Sequence, residues 1–456
     1  MDVRGLQRKG WWTAGILSAA LSCRSVAQAQ PGVTLLPPAE LSAPTAVQAP
    51  KNGGMTADQI IATVLTADPK LRVGYEDINQ AIAEAITASL PPNPTLSPDY
   101  QLIPLTRPFT QTQQGGPPQF DAIVSYPLDW FLFGKRKAAM ASTAVGVRKS
   151  EAEYYELVRL RIRDAALGFY EILELKALRD LAIQDVESLQ RVEAITRRAV
   201  EQGGRPAVDL NRIRLDVLRS QQFLRDAEAA LNNAKTRLRA LLGRNDADAN
   251  FDVVGSLDLP TLPAALTTDE AIAIAEANRP DLQALRFKVE KAEADTVVEK
   301  RKAYPQVNAR TGYTRQFQGD IGFRDANSYL VGFDVGLPFF DRNQGGRANA
   351  ASKLAQSHYE LQTGLVDLRS EIEQVQNDYR FAVQSAKAVA EEQLKLAEQV
   401  RESINKANEA GGQPLLNVLD AQRNFRETYR IYITSRANYW RASVRLNATL
   451  GKKVVP

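Results

Sequence analysis

The sequence is short of the side chains from which most catalytic and metal centres are built. Among 456 residues there is one cysteine, Cys23, one histidine, His358, and three methionines. That excludes a Cys/His metal cluster and a Ser–His or Cys–His nucleophile pair within one chain. Charge of one sign is lacking too, since 57 Lys+Arg against 53 Asp+Glu leave a formal net charge of +4. Nucleic-acid binding needs a concentrated basic patch, so no nucleic-acid partner is expected. Gly134-Lys135-Arg136 lacks the upstream glycine of a phosphate loop. Past the N-terminus no run reaches the ~18 uncharged apolar residues of a membrane-spanning helix. Neither an enzyme nor a resident cofactor or metal is expected.

What is present begins with a leader. Arg4, Arg8 and Lys9 precede an apolar stretch over 11–21, and Ala27-Gln28-Ala29 follows. This describes a secretory signal over residues 1–29. Ala20-Leu21-Ser22-Cys23 offers the alternative of a lipoprotein signal, although its leucine stands one place too close to the cysteine. Residues 30–54 are Pro/Ala-rich and read as an N-terminal linker.

Self-comparison organises the rest. Asp68-Pro69-Lys70-Leu71 recurs as Arg279-Pro280-Asp281-Leu282, Asn93-Pro94 as Tyr304-Pro305, Tyr126-Pro127 as Leu337-Pro338, and Gly134-Lys135-Arg136 as Gly345-Gly346-Arg347, all at an offset of 211. The offset falls to 208 where Gly203-Gly204-Arg205-Pro206 meets Gly411-Gly412-Gln413-Pro414, and Leu242-Gly243 still matches Leu450-Gly451. The chain is a tandem duplication, with copies over 55–243 and 267–452, an inter-repeat linker over 244–266 and a tail over 453–456.

Each copy has the same grammar. A helical segment, 56–90 or 267–303, is interrupted by Pro69 or Pro280. Two strands follow. Phe120, Ala122, Val124 and Tyr126 alternate with Asp121, Ile123 and Ser125, as Val331, Phe333 and Val335 alternate with Gly332 and Asp334. Val307, Ala309, Thr311 and Tyr313 likewise alternate with Asn308 and Arg310; the equivalent strand of copy one is obscured by Pro98 and Pro104. Then come two long helices per copy, about 135–202 and 206–242, and 345–410 and 414–450. Leu210, Ile213, Val217, Ser220, Leu224, Ala227, Leu231, Ala234, Leu238 and Leu241 advance in 3-4 steps, a coiled-coil seam. At ~1.5 Å per residue the first helix of each pair reaches roughly 100 Å.

Four strands cannot close a barrel, and open edges are forbidden in hydrocarbon. If the strands span a bilayer the chain must oligomerise, and three chains supply twelve strands. The apolar face would meet lipid, and Asp121, Ser125, Asn308, Arg310 and Asp334 would face the lumen.

The duplicated plan resembles the TolC-like outer-membrane efflux proteins, as do Pro-Asn-Pro-Thr-Leu (92–96), Gly-Lys-Arg (134–136), Gly-Leu-Pro-Phe-Phe-Asp-Arg-Asn-Gln-Gly (336–345) and Pro-Leu-Leu-Asn-Val-Leu-Asp-Ala-Gln-Arg (414–423). The first three look most like the CzcC-like branch, associated with heavy-metal and other cation efflux. The resemblance implies a mainly α fold with a small β part. It implies a homotrimer with a twelve-stranded β-barrel in outer-membrane lipid and a helical barrel through the periplasm. Its partners would be a periplasmic adaptor and an inner-membrane pump of the resistance-nodulation-division type. The function implied is a passive exit duct in the outer membrane of a Gram-negative bacterium. A coiled-coil periplasmic adaptor or scaffold, or the channel of a protein-secretion system, stands as the alternative.

The resemblance also marks candidate sites. The hairpin tips Gly203, Gly204, Arg205 and Pro206, and Gly411, Gly412, Gln413 and Pro414, would meet the partners; ordinary helix turns explain the same residues. Asp420, Asn417 and Asp209 fall where family members line the periplasmic entrance with acids, or on a solvated helix face. Trp130, Phe131, Phe133, Phe339 and Phe340 at the strand ends suit a membrane-interface girdle, or packing at the strand-to-helix junction.

Overall fold

The computed structural model describes residues 54–113, 115–204, 206–244, 251–260, 266–409 and 414–455. The expected leader with Cys23 and the linker through residue 53 lie outside the described residues, as do Arg205, Gly411, Gly412 and Gln413.

In copy one, α1 (Ala57–Ala67) and α2 (Pro69–Ser89) are the two halves of the broken helix. They lead into β1 (Thr95–Gln101) and β2 (Gln119–Pro127), the short α3 (Asp129–Leu132), and the long pair α4 (Lys135–Glu201) and α5 (Ala207–Leu241). Copy two repeats the order as α6 (Thr268–Asn278), α7 (Pro280–Lys302), β3 (Gln306–Gln316) and β4 (Ala326–Gly336). It continues with α8 (Gln344–Ala388), a π-helical turn (Val389–Gln393), α9 (Leu394–Glu409) and α10 (Leu415–Leu450). Both copies open on a capping box that the sequence reading did not single out. Thr56 with Gln59, and Thr267 with Glu270, satisfy each other's backbone N–H groups reciprocally. Among the described residues the π turn occurs in copy two alone, between the region of offset 211 and that of offset 208. Losing three residues removes less than a whole helical turn, so the helix must absorb a phase slip, and a π turn is a local way to do so.

The four strands form one antiparallel meander in the order β1-β2-β3-β4. Pro98 lies within β1, an edge strand of the sheet within one chain. The long helices pack as the seam predicts. Ile213, Val217, Ala227, Leu231, Ala234 and Leu238 are buried on α5, as are Val418, Ala421, Tyr439, Ala442 and Leu446 on α10. No helix among the described residues is long and apolar enough to cross a membrane.

The breaks at Pro69 and Pro280 are where each copy closes on itself. Gly243 and Gly451, at φ +66° and +67°, end the last long helices in the left-handed region. A Cβ there would come within 2.5 Å of Ala67 O and 2.8 Å of Asn278 O, so only glycine allows the approach. Asp68 caps α2 through Lys70 N at 2.9 Å and pairs with Arg161 of α4. Its counterpart in copy two is Arg279, which pairs with Asp281 and with Glu371 of α8, both at 2.6 Å.

The inter-repeat segment is more than a connector. Phe251 and Val253 belong to the core of copy one, and Met55 pairs with Val253 in a parallel bridge. Asp252 lies 2.7 Å from Lys176 and 3.1 Å from Lys235. Burial alone would raise its carboxyl, but the two ammonium groups outweigh it and hold the group below the usual carboxylate range. A depressed folded value gives stability that is full above the unfolded pKa of ~3.9 and lost as pH falls through the folded one. The thermal midpoint should therefore fall on acidification below about pH 4. A Lys176→Met/Lys235→Met variant should show a shallower acid slope in circular dichroism; an unchanged slope would show that this clamp contributes nothing.

Candidate functional site

Three regions carry the candidate residues: the sheet, the strand-to-helix junction and the long helices towards the hairpin tips.

In the sheet, the register collects the apolar positions on one face. Val335 opposes Val307, Phe333 opposes Ala309, Val331 opposes Thr311 and Tyr329 opposes Tyr313. The pairing continues as Thr311 with Val124 and Val124 with Leu96. Val331 and Phe333 are 71% and 64% exposed, part of an apolar strip of the kind that marks an interaction surface. The opposite face brings together the five polar candidates. Arg310 pairs with Asp334 at 2.9 Å and opposes Ser125, and Asn308 opposes Asp334 in the ladder. Asp121 departs from the expectation that it faces open water. It is only 5% exposed, because Thr314 Oγ1 donates to it at 2.6 Å and Gln119 Nε2 at 2.8 Å, covering the carboxylate with its neighbours.

At the junction the five aromatics divide. Trp130 and Phe133 are packed: the Trp130 indole donates to Pro127 O at 2.8 Å, and Phe133 stacks on Tyr304 with centroids 5.1 Å apart. Phe131, Phe339 and Phe340 are exposed, Phe340 to 92%.

Near the tips, Gly203 turns in the left-handed region at φ +72°, and Pro206 and Pro414 precede α5 and α10. Asp209 and Asn417 occupy matching first-turn positions, their backbone N–H groups bonded to Pro206 O and Pro414 O at 3.1 Å. Asp420 is not a free carboxylate. Its side chain is 53% exposed and Arg423, one turn on, stands 3.5 Å away. An i,i+3 partner on the same face partly offsets its charge.

The stronger electrostatics lie a turn deeper and were missed. A groove of about 290 Å³ runs between α4, α5 and α10, lined by Asp185, Asp216, Arg423 and Arg426 among others. Asp185 accepts from Ser220 Oγ at 2.5 Å and from Arg426 Nη1 at 2.6 Å, joining both helices of copy one to copy two. Comparing the copies at offset 208 would have found it, because Leu215 and Leu218 of α5 correspond to Arg423 and Arg426. The Asp185 side chain is 10% exposed, so Asp185→Asn leaves a half-buried guanidinium without its counter-ion and should cost about 2–3 kcal/mol. Asp420→Asn should change stability by under ~0.5 kcal/mol, as surface pairs do. Thermal unfolding of the two variants decides it; equal losses would deny the groove its structural role.

With the geometry in place, comparison with known proteins identifies the architecture. The family model described as outer membrane efflux protein matches residues 60–244 and 271–452. The chain is 24% identical over 432 residues to the cobalt-zinc-cadmium resistance protein CzcC of Cupriavidus metallidurans, covering 94% of this chain and 96% of that one. It is 25% identical to the nickel-cobalt-cadmium resistance protein NccC of Alcaligenes xylosoxydans xylosoxydans, over 66% of this chain and 64% of the relative. Among solved structures, the outer membrane channel CmeC of Campylobacter jejuni superposes with a TM-score of 0.70 at 15% identity, over 87% of this chain and 86% of that one. The fold is thus TolC-like, mainly helical with a small sheet, and these relatives are transport proteins rather than enzymes. With the family model covering most of both repeats, the chain belongs to the outer membrane efflux protein family.

Proposed function

We propose that three copies of the chain close a twelve-stranded barrel in the outer membrane. The long helices continue it as a periplasmic tunnel to an adaptor and an inner-membrane pump. The observation that carries this reading is the sheet itself: four strands, one exposed apolar face, and an unpartnered outer edge on β1 and β4 among the described residues. Pairing β4 of one copy with β1 of the next satisfies those edges and turns the apolar face to lipid. Strands of 11 residues in β3 and β4 match the length of tilted transmembrane strands. The face bearing Ser125, Asn308, Arg310 and Asp334 then lines the lumen.

The duct is passive, and its cargo is heavy-metal cations, a reading supported by the cobalt, zinc, cadmium and nickel in the names of CzcC and NccC. Selection of the metal resides in the pump. Among the described residues no group of His, Cys, Asp and Glu is arranged to hold a metal ion, and His358 stands exposed on α8. The helical tips, with Gly203, Gly204 and Pro206 on one side and Pro414 on the other, are the docking end for the partners.

Two measurements test this reading. Val331→Arg puts a charge on the lipid face at mid-depth and should cost ~2–4 kcal/mol, abolishing trimer assembly in the outer membrane. Ser328→Arg, on the opposite face near Asp121, should assemble normally; equal behaviour of the two would mean the strands never meet lipid. Separately, deleting the gene in its host should lower tolerance to cobalt, zinc or cadmium, with rescue by the wild type but not by Val331→Arg. Unchanged tolerance would remove metal as the cargo while leaving the barrel standing.

A further inference from the structure

Charge is distributed unequally along the sheet. The register puts Thr95, Pro127, Gln306 and Gly336 at the end that joins the helices, and Gln101, Gln119, Gln316 and Ala326 at the loop end. At the helix end, β2 is followed by the run Lys135-Arg136-Lys137, and β3 is preceded by Lys300-Arg301-Lys302. Arg342 and Arg347 follow β4. Against these eight cations stand Asp129, Glu299 and Asp341, so the junction carries +5 per chain. The loop end, over 99–121 and 315–325, carries Arg107, Arg315 and Arg324 against Asp99, Asp121, Asp320 and Asp325, a balance of −1.

The junction cations are only partly spent within the chain. Lys135 pairs with Asp129 at 2.7 Å and Lys302 with Glu299 at 2.6 Å. Lys137, Lys300, Arg301 and Arg347 are exposed and make no ion pair among the described residues. Arg301 and Arg136 lie over aromatic rings instead, at 5.8 Å from Tyr304 and 5.3 Å from Trp130, and Arg136 Nε is buried without a hydrogen-bond partner. Two long helices begin here, α4 and α8, and neither N-terminus has a side-chain cap. The C-termini of α2 and α7 lie at the same junction, so the helix dipoles offset one another and the basic side chains carry the positive charge. Beside this charge stand the exposed rings of Phe131, Phe339 and Phe340.

Exposed aromatics stand at both ends of the sheet, Phe323 and Tyr100 at the loop end included, but the net excess of cations is at the helix end alone, and aromatics beside that excess suit the interface of a bilayer leaflet whose headgroups are anionic. We infer that the strand-to-helix junction binds the phosphate-bearing headgroups of anionic phospholipids in the leaflet facing the helices. The aromatic side chains seat at the acyl boundary, and the exposed cations reach the phosphates. Three copies would surround the barrel with a basic collar of this kind. The inference rests on the reading that the sheet lies in a bilayer. It adds to that reading a lipid class and a side: a membrane-spanning sheet needs apolar residues, whereas it does not need +5 at one rim and −1 at the other.

The test is lipid retention by the full mature chain, purified in neutral detergent micelles doped equally with phosphatidylglycerol or phosphatidylcholine of the same acyl chains. Lipids retained per oligomer are counted by native mass spectrometry. Phosphatidylglycerol should be retained on the order of tenfold over phosphatidylcholine, with each exposed cation contributing up to about fivefold. A Lys300→Gln/Arg301→Gln/Arg347→Gln variant should lose most of that preference, and an Arg107→Gln/Arg324→Gln variant at the loop end should keep it. Equal retention of the two lipids by the wild type, or a preference untouched in the triple variant, overturns the inference while leaving the bilayer placement intact. Complete displacement of phosphatidylglycerol by millimolar inorganic phosphate also overturns it, since the junction would then be a free-anion site. Retention of neither lipid, with a chain that stays monodisperse without detergent, would remove the bilayer placement and the inference together.

Discussion

A four-stranded meander has two open edges, and a strand edge in hydrocarbon has no water to turn to. On the proposed placement in a bilayer, that constraint makes one copy insufficient, and the number of neighbours follows from how many strands a hollow barrel needs. It also explains why β2 and β3, which come from different repeats, pair with each other in the middle of the sheet. The duplication therefore does not build two domains side by side. It builds one sheet and one helical body in which every layer takes half its material from each copy.

Much of this was legible because the relevant periods are strict. The alternation in 120–126 and 331–335 set the strand faces, and the ladder confirms that Val124, Thr311 and Val331 stand in one row. The 3-4 seam from Leu210 to Leu241 set the helix packing, and the buried residues of α5 follow it. What escaped has equally physical causes. Asp121 was read as facing water because single-residue alternation says nothing of cross-strand neighbours such as Thr314, which lies 193 positions away in the chain. Asp420 was left between an acidic entrance and a solvated helix face, and Arg423 one helical turn later was not weighed with it. The Asp185–Ser220–Arg426 link joins three helices, and no local pattern announces it. The core role of Phe251 and Val253 was hidden because a strand-like fragment between repeats has no mate at offset 211.

The copies are equal in plan and unequal in chemistry, and the differences cluster where they meet each other. Copy one presents Leu215 and Leu218 on α5 where copy two presents Arg423 and Arg426 on α10. Apolar positions exposed in one half are thus matched by ion-paired positions in the other, so the two helix hairpins of the chain are not interchangeable. The π turn in copy two has the same effect on helix phase, changing one wall of each protomer and not the other.

Asp68 and Arg279 occupy the same place in the two copies with opposite charge, each buried and each answered by a long helix of its own half. Exchanging the short helices between halves would set Asp68 towards Glu371 and Arg279 towards Arg161, so that like charges would meet. Duplicated sequences fold with a standing ambiguity about which half belongs to which, since their apolar seams are nearly interchangeable. Here the reversed polarity acts as an address: it distinguishes the halves at the one joint where both present the same proline-broken helix.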